Sequence, residues 1–121
     1  MSVPSMKVKE LRIGSRGVNI DLKVVNKLDE REVTARLDGS THKVADVLVG
    51  DETGVIIITL WDDLISQVED GMGIRVENGY TSTFKGSLRL NVGRYGKLIR
   101  SEGKVSNVDT SHNLSEKRIQ V

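Results

Sequence analysis

Residues 44–92 read VADVLVGDETGVIIITLWDDLISQVEDGMGIRVENGYTSTFKGSLRLNV, and their pattern decides the fold. An apolar run from Lys43 to Val49 meets the turn-forming Asp51-Glu52-Thr53-Gly54, and a second run from Val55 to Trp61 follows. Two strands joined by a tight turn are expected. Every position from Val55 to Trp61 is apolar or Thr, so polarity does not say which face is buried. Parity does. Successive side chains on a strand point to opposite faces, which puts Ile56, Ile58 and Leu60 on one side and Val55, Ile57, Thr59 and Trp61 on the other. With the first set as core, the second becomes a flat, slightly apolar surface ending in Trp61, of the kind that marks a contact surface or a second packing layer.

Beyond Trp61, Asp62 or Asp63 is placed to cap a short helix, because a carboxylate accepts the free N–H groups of a first turn. Leu64 and Val68 then lie one turn apart on one side, and Gly71-Met72-Gly73 ends the segment. So short a helix cannot stand alone and must plug something. Ile74 and Val76 alternate with Arg75 and Glu77 in a further strand interrupted at Asn78-Gly79. Ser87 to Val92 makes another, with Leu88, Leu90 and Val92 inward and Ser87, Arg89 and Asn91 outward.

Upstream, Val18, Ile20, Leu22 and Val24 alternate with polar residues as in a half-buried strand that can continue to Leu28. The charged stretch Asp29 to Gly39 closes on Asp38-Gly39 and reads as either a long loop or a flexible hairpin. Three regions are expected: a lead-in over residues 1–16 with a weak apolar cluster at Val8 and Leu11, a domain over 17–100, and a polar extension over 101–121 carrying three bases and three acids. Five short strands with a helix between the third and fourth define an all-β chain and match the OB-fold, a five-stranded Greek-key barrel that binds oligonucleotides or oligosaccharides. The helix plugs one open end. A small sandwich is the structural rival.

The 121 residues bound the answer to one domain with a small core, and 37% apolar with 29% charged residues describes a soluble globular chain. No run reaches bilayer length, and Pro4, Lys7 and Lys9 flank no apolar signal core, so an intracellular location without a membrane partner is expected. Without cysteine there is no disulfide or thiolate metal site, which fits a reducing compartment. His42 and His112 are far apart and lack zinc-site spacing, and neither a P-loop nor a nucleophile elbow is present. Asp51 and Glu52 are adjacent turn residues that point apart. No catalytic residue, metal or cofactor is expected.

A net charge of +1 hides a split along the chain. Residues 51–78 hold seven acids against one base, Arg75, whereas residues 79–100 hold Lys85, Arg89, Arg94, Lys97 and Arg100 and no acid. Such a split can place a positive field on a nearly neutral molecule.

The segments Val49-Gly50-Asp51-Glu52-Thr53-Gly54, Thr59-Leu60-Trp61-Asp62 and Glu77-Asn78-Gly79-Tyr80-Thr81-Ser82-Thr83-Phe84-Lys85-Gly86-Ser87-Leu88-Arg89-Leu90-Asn91-Val92-Gly93 come in order and with the right gaps. Over about residues 18–100 the chain resembles the archaeal single-OB-fold single-stranded DNA-binding proteins, their eukaryotic counterparts and replication protein A modules. The resemblance implies that bases stack on Trp61, Tyr80 and Phe84, with Tyr80 standing where some members carry Trp. It implies sequence-tolerant binding of single-stranded DNA or RNA and work beside replication and repair proteins. The chain lacks the long Gly-rich or acidic tail that many members use to recruit partners.

The residues support that reading physically. Aromatic faces beside cations bind single strands without reading sequence, at about 1–3 kcal/mol per stacked base. Three such contacts total about 3–9 kcal/mol gross, against the roughly 8 kcal/mol net that micromolar binding needs. Phosphate contacts from Lys85, Arg89, Arg94 or Lys97 must supply the rest. The candidate surface further includes Ile57, Thr59 and Asn91 on the outward parity, Tyr95 after the last strand, and Arg36 and Lys43 around the first connecting loop. Two other uses of the same fold stay open: a protein-interaction module that buries the Val55, Ile57 and Trp61 face, and an RNA- or tRNA-binding domain.

Overall fold

The computed structural model describes residues 5–115. Among these, six strands, β1 (Val18–Thr34), β2 (Thr41–Asp51), β3 (Gly54–Trp61), β4 (Gly73–Phe84), β5 (Ser87–Asn91) and β6 (Lys97–Arg100), form one sheet in the order β1-β2-β3-β5-β4-β6. β1 also pairs with β4, which closes the ring as an OB-fold requires. β3 and β5 run parallel from Ile57–Arg89 to Thr59–Asn91, and the other ladders are antiparallel.

Closure depends on β1, which is long enough to belong to two ladders. Register shifts at Val24/Asn26 and Lys27/Asp29 bend it, so that its first part pairs with β4 and its second with β2. The charged stretch after Leu28 is therefore a hairpin: β1 continues to Thr34, and Ala35 N–H donates to Ser40 O at 2.8 Å across the turn.

The parity expected for β3 holds. Ile56, Ile58 and Leu60 are fully buried with Ile20, Leu22, Val47, Ile74 and Leu90, and every buried hydrophobic side chain of the described residues is aliphatic. Trp61, Tyr80, Phe84 and Tyr95 are all exposed. An aliphatic interior leaves the rings outside.

Three expectations need correction. The segment between β3 and β4 is a 3₁₀ turn, Asp62–Gln67, and no side chain caps its start. The Asp62 carboxylate faces back to β2 instead, where it accepts the Lys43 N–H at 3.0 Å, and Ile65 joins Val68 as the buried plug while Leu64 is only half-buried. β4 is not interrupted at Asn78-Gly79; Asn78 adopts a left-handed φ of 56° and the strand runs on to Phe84. A sixth strand follows β5, and its Lys97–Arg100 backbone pairs with Glu77–Ile74, so the chain from Ser87 to Arg100 retraces β4.

Both flanking segments pack on the end of the ring where β2 turns into β3. Val8 and Leu11 are buried, and the buried Asp51 carboxylate accepts from Val8 N–H at 3.0 Å and from Thr53 N–H at 2.8 Å. From the other side, Asp109 N–H donates to Asp51 O, and Val55 exchanges backbone hydrogen bonds with His112 and Leu114. The Ser115 hydroxyl donates to Leu88 O and accepts the Ile57 N–H at 2.8 Å, fastening this segment between β3 and β5. Val55, expected on the outer face, is consequently 0% exposed, covered by the chain itself.

Candidate nucleic-acid interface

The outer face of β2, β3, β5 and β4 is assembled by register. Thr59 lies opposite Asp46 on one side and Asn91 on the other, and Asn91 lies opposite Tyr80. The next row joins Leu48, Ile57, Arg89 and Ser82. Trp61 stands one step beyond the first row, and Phe84, opposite Ser87, stands beyond the second. Trp61 and Tyr80 thus share one end of the face and Phe84 holds the other. Trp61 is 47%, Tyr80 42% and Phe84 49% exposed.

Each ring is held differently. Tyr80 follows the left-handed Asn78 and lies on Gly93, whose φ is +79°; a Cβ there would stand 3.0 Å from the Tyr80 ring, so glycine leaves the ring its seat. Phe84 carries Lys85 Nζ at 5.4 Å and Arg89 Cζ at 5.5 Å from its centroid, within cation–π range. Trp61 meets the edge of His42 at 6.2 Å between ring centres.

His42 belongs to a short relay. Its Nδ1 is 2.8 Å from Asp62 Oδ2 and its Nε2 is 2.9 Å from Ser40 Oγ. The hydrogen bond with His42, and then the Lys43 N–H, hold the Asp62 carboxyl below the usual carboxylate range. Ser, His and Asp in this order have the connectivity of a hydrolytic triad, but the Ser40 hydroxyl donates to Asp38 Oδ1 at 2.7 Å. The Asp38 carboxylate therefore competes with the imidazole for the single Ser40 proton. The relay instead fixes the ring beside Trp61.

A hollow of about 280 Å³ opens between Thr59, Trp61, Tyr80, Asn91 and Arg94. Asn91 donates to Ser82 Oγ at 2.8 Å, tying the floor of the face together. Arg89 is less free than its place in an acid-free stretch implies. It pairs with Asp46 at 3.1 Å, and Asp46 also takes Arg31 at 3.2 Å. Lys85 and Arg94 have no carboxylate partner among the described residues.

Ile57, Thr59, Trp61, Tyr80, Phe84, Lys85, Arg89 and Asn91 are brought to one face, with Arg94 at its rim. Arg36 and Lys43 are not. Arg36 is exposed in the β1–β2 turn, and Lys43 has the parity of the core-facing Ala45 and Val47. Lys43 lines a separate hollow of about 550 Å³ with Glu30, Glu32, Asp62 and Asp63, a lining too acidic for phosphate. Tyr95, 79% exposed, lies past Tyr80 with Arg94 Cζ 5.7 Å from its ring. Reading the sequence missed His42 and Asp46. Counting back from the Asp51–Gly54 turn puts Lys43 opposite Asp62 and Asp46 opposite Thr59, a register signal that was there to find.

A closed ring of this strand order with exposed aromatics on its outer sheet face is the OB-fold architecture, which serves oligonucleotide and oligosaccharide binding alike. Residues 11–100 match the family of Ssb-like single-stranded DNA binding proteins with an OB fold, and the chain belongs to that family. It is 29% identical over 95 residues to the single-stranded DNA binding protein Ssb of Saccharolobus solfataricus, covering 78% of this chain and 63% of that protein. The chain therefore spans less than two thirds of the length of this archaeal relative. Its fold is similar to the solution structure of a hypothetical protein from Arabidopsis thaliana, with TM-score 0.78, 22% identity, and coverage of 100% of this chain and 89% of that one. It is also similar to the second OB-fold domain of replication protein A from Methanococcus maripaludis, with TM-score 0.66, 24% identity, and coverage of 85% and 100%. No helix of the described residues is long and apolar enough to cross a membrane.

Proposed function

We propose that this chain binds single-stranded DNA with little regard to sequence, in the service of replication and repair, and that it does so as an intracellular binding protein rather than an enzyme. One observation carries the reading: three rings, Trp61, Tyr80 and Phe84, stand in water on one sheet face while the interior is filled by aliphatic side chains. Tyr80 and Phe84 lie four residues apart on one strand, about 14 Å at roughly 3.4 Å per residue, so they address different bases. Every base has a face to stack, which makes such contacts tolerant of sequence. Lys85 and Arg94 then neutralise phosphates at the rim. Membership of the Ssb-like family supports the same reading.

The test is a titration of Trp61 fluorescence with poly(dT) at low and high salt, beside an RNA of equal length. Quenching that salt relieves supports the proposal. A response to RNA alone moves the ligand to RNA, and no response to either, with a size that rises with protein concentration, points to a protein partner instead.

A further inference from the structure

Tyr80 borders two hollows. Beyond the one it shares with Trp61 lies a second, of about 370 Å³, between Arg16, Asn78, Tyr80, Arg94 and Tyr95. Gly93 and Arg94 line both, so the two spaces adjoin across the Tyr80 ring. We propose that this second hollow is a further nucleotide subsite, taking a base against Tyr95 and the adjoining phosphate between Arg16 and Arg94. The inference rests on the single-stranded DNA reading and extends the strand's path past the end of the sheet face.

The position of Arg16 is built into the fold. Thr81 N–H donates to Ser15 O at 3.0 Å, and Ser15 N–H donates to Thr81 Oγ1 at 2.9 Å. This exchange fixes the end of the N-terminal segment to β4 one residue from Tyr80. It delivers the next side chain, Arg16, to the rim of the hollow. Opposite it, the Gly93–Gly96 turn carries Arg94 and Tyr95, and Gly96 must be glycine, since a Cβ there would fall 1.8 Å from Val92 O.

Charge separates this hollow from the rest of the surface. Its lining contains two guanidinium groups and no carboxylate. Among the described residues neither Arg16 nor Arg94 has an acidic partner, whereas Arg89 on the sheet face is held by Asp46. An unpaired cation releases a phosphate's counterion at full effect. Tyr95, with its ring largely in water beside Arg94, offers a fourth stacking surface.

The test uses Arg16→Ala, Arg16→Glu and Arg16→Lys in the full chain, read by Trp61 fluorescence against dT oligomers of about five and about fifteen nucleotides. Arg16 is exposed and outside the sheet face. Binding of the short oligomer is expected to stay within about twofold of the parent, while the long one weakens about three- to tenfold for Ala and further for Glu. Lys restores most of the loss, and the salt slope for the long oligomer flattens by about 0.7 for Ala. Equal losses at both lengths, or no loss at the longer one, overturn the subsite. If the parent chain binds neither oligomer, the DNA reading itself fails, an outcome distinct from either.

Discussion

The two ends of β3 carry side chains of the same parity and opposite fates. Val55 and Trp61 both point away from the core, yet Val55 is completely buried and Trp61 is 47% exposed. What differs is the chain that arrives from elsewhere. At the Val55 end the buried Asp51, the Val8 turn and the 109–115 segment converge and close the surface with backbone hydrogen bonds. At the Trp61 end the chain turns away through Asp62, whose φ is +49°, and the indole is left about half exposed with His42 at its edge. Strand parity assigns a face; it does not assign what lies on it. One end of the strand is thus structural and the other is free for a ligand.

If that division is real, damage to the covered end should cost stability and spare binding. Truncation after Lys104 removes Val105 and the cover over Val55, each worth about 1.5–3 kcal/mol as buried aliphatic side chains, and should lower unfolding stability by about 3–6 kcal/mol in urea. Ser115→Ala, which strips the Ile57 N–H of its acceptor and Leu88 O of its donor, should lower it by about 1–3 kcal/mol. Melts at the parental urea midpoint would show the segment to be a passive passenger.

The open end should behave in reverse. Trp61→Ala and Phe84→Ala are each expected to weaken oligonucleotide binding by about 1–3 kcal/mol, with the urea midpoint nearly unchanged because each ring is about half exposed. Phe84 fluorescence is of little use here, so anisotropy of a labelled dT oligomer is the readout. A Trp61→Ala chain that binds as tightly as the parent would remove the indole from the interface.

Much of this arrangement was legible in the residues. The inward set Ile56, Ile58 and Leu60, the exposure of Trp61 and the closed all-β ring all follow from period and turn chemistry. The rest depends on pairing partners distant in sequence. β6 is four residues long and carries Lys97 and Arg100 around Leu98 and Ile99, too short a pattern to separate from a loop until β4 is seen beside it. Asp62 looked like a helix cap because its carboxylate precedes a helical spacing, but His42 and Lys43 compete for the same oxygens across the β2–β3 ladder. The acid-free run from 79 to 100 holds no partner for Arg89, and only the parallel β3–β5 pairing reveals that Asp46 sits within reach.

That ion pair gives a finer comparison within the open face. Counterion release scales with the phosphates newly neutralised, so a cation already paired contributes less to the salt dependence than one that is free. Lys85→Ala should flatten the slope of log K against log salt by about 0.7. Arg89→Ala should flatten it by less, since the guanidinium is already paired with Asp46, a carboxylate it shares with Arg31. Equal slopes for the two variants would mean that Arg89 leaves Asp46 when DNA arrives.

The smallest expected effect concerns the support behind Trp61. The carboxyl of Asp62 is held below its ordinary value by hydrogen bonds from His42 and Lys43, so its contribution is in place at every pH above the unfolded value of about 3.9. It is lost only as the pH falls through the lowered folded value. Between neutral pH and about pH 4 the His42–Asp62 contact should therefore survive, and Trp61 emission in the free protein should show an Asp62-dependent step only in more acidic solution. Asp62→Asn should abolish that acid step while leaving the urea midpoint almost unmoved, because the pair with His42 lies at the surface and is screened by solvent. An acid step that persists unchanged in Asp62→Asn would mean that another carboxyl governs the indole, and that the Trp61 end of β3 is not held by the relay across the β2–β3 ladder.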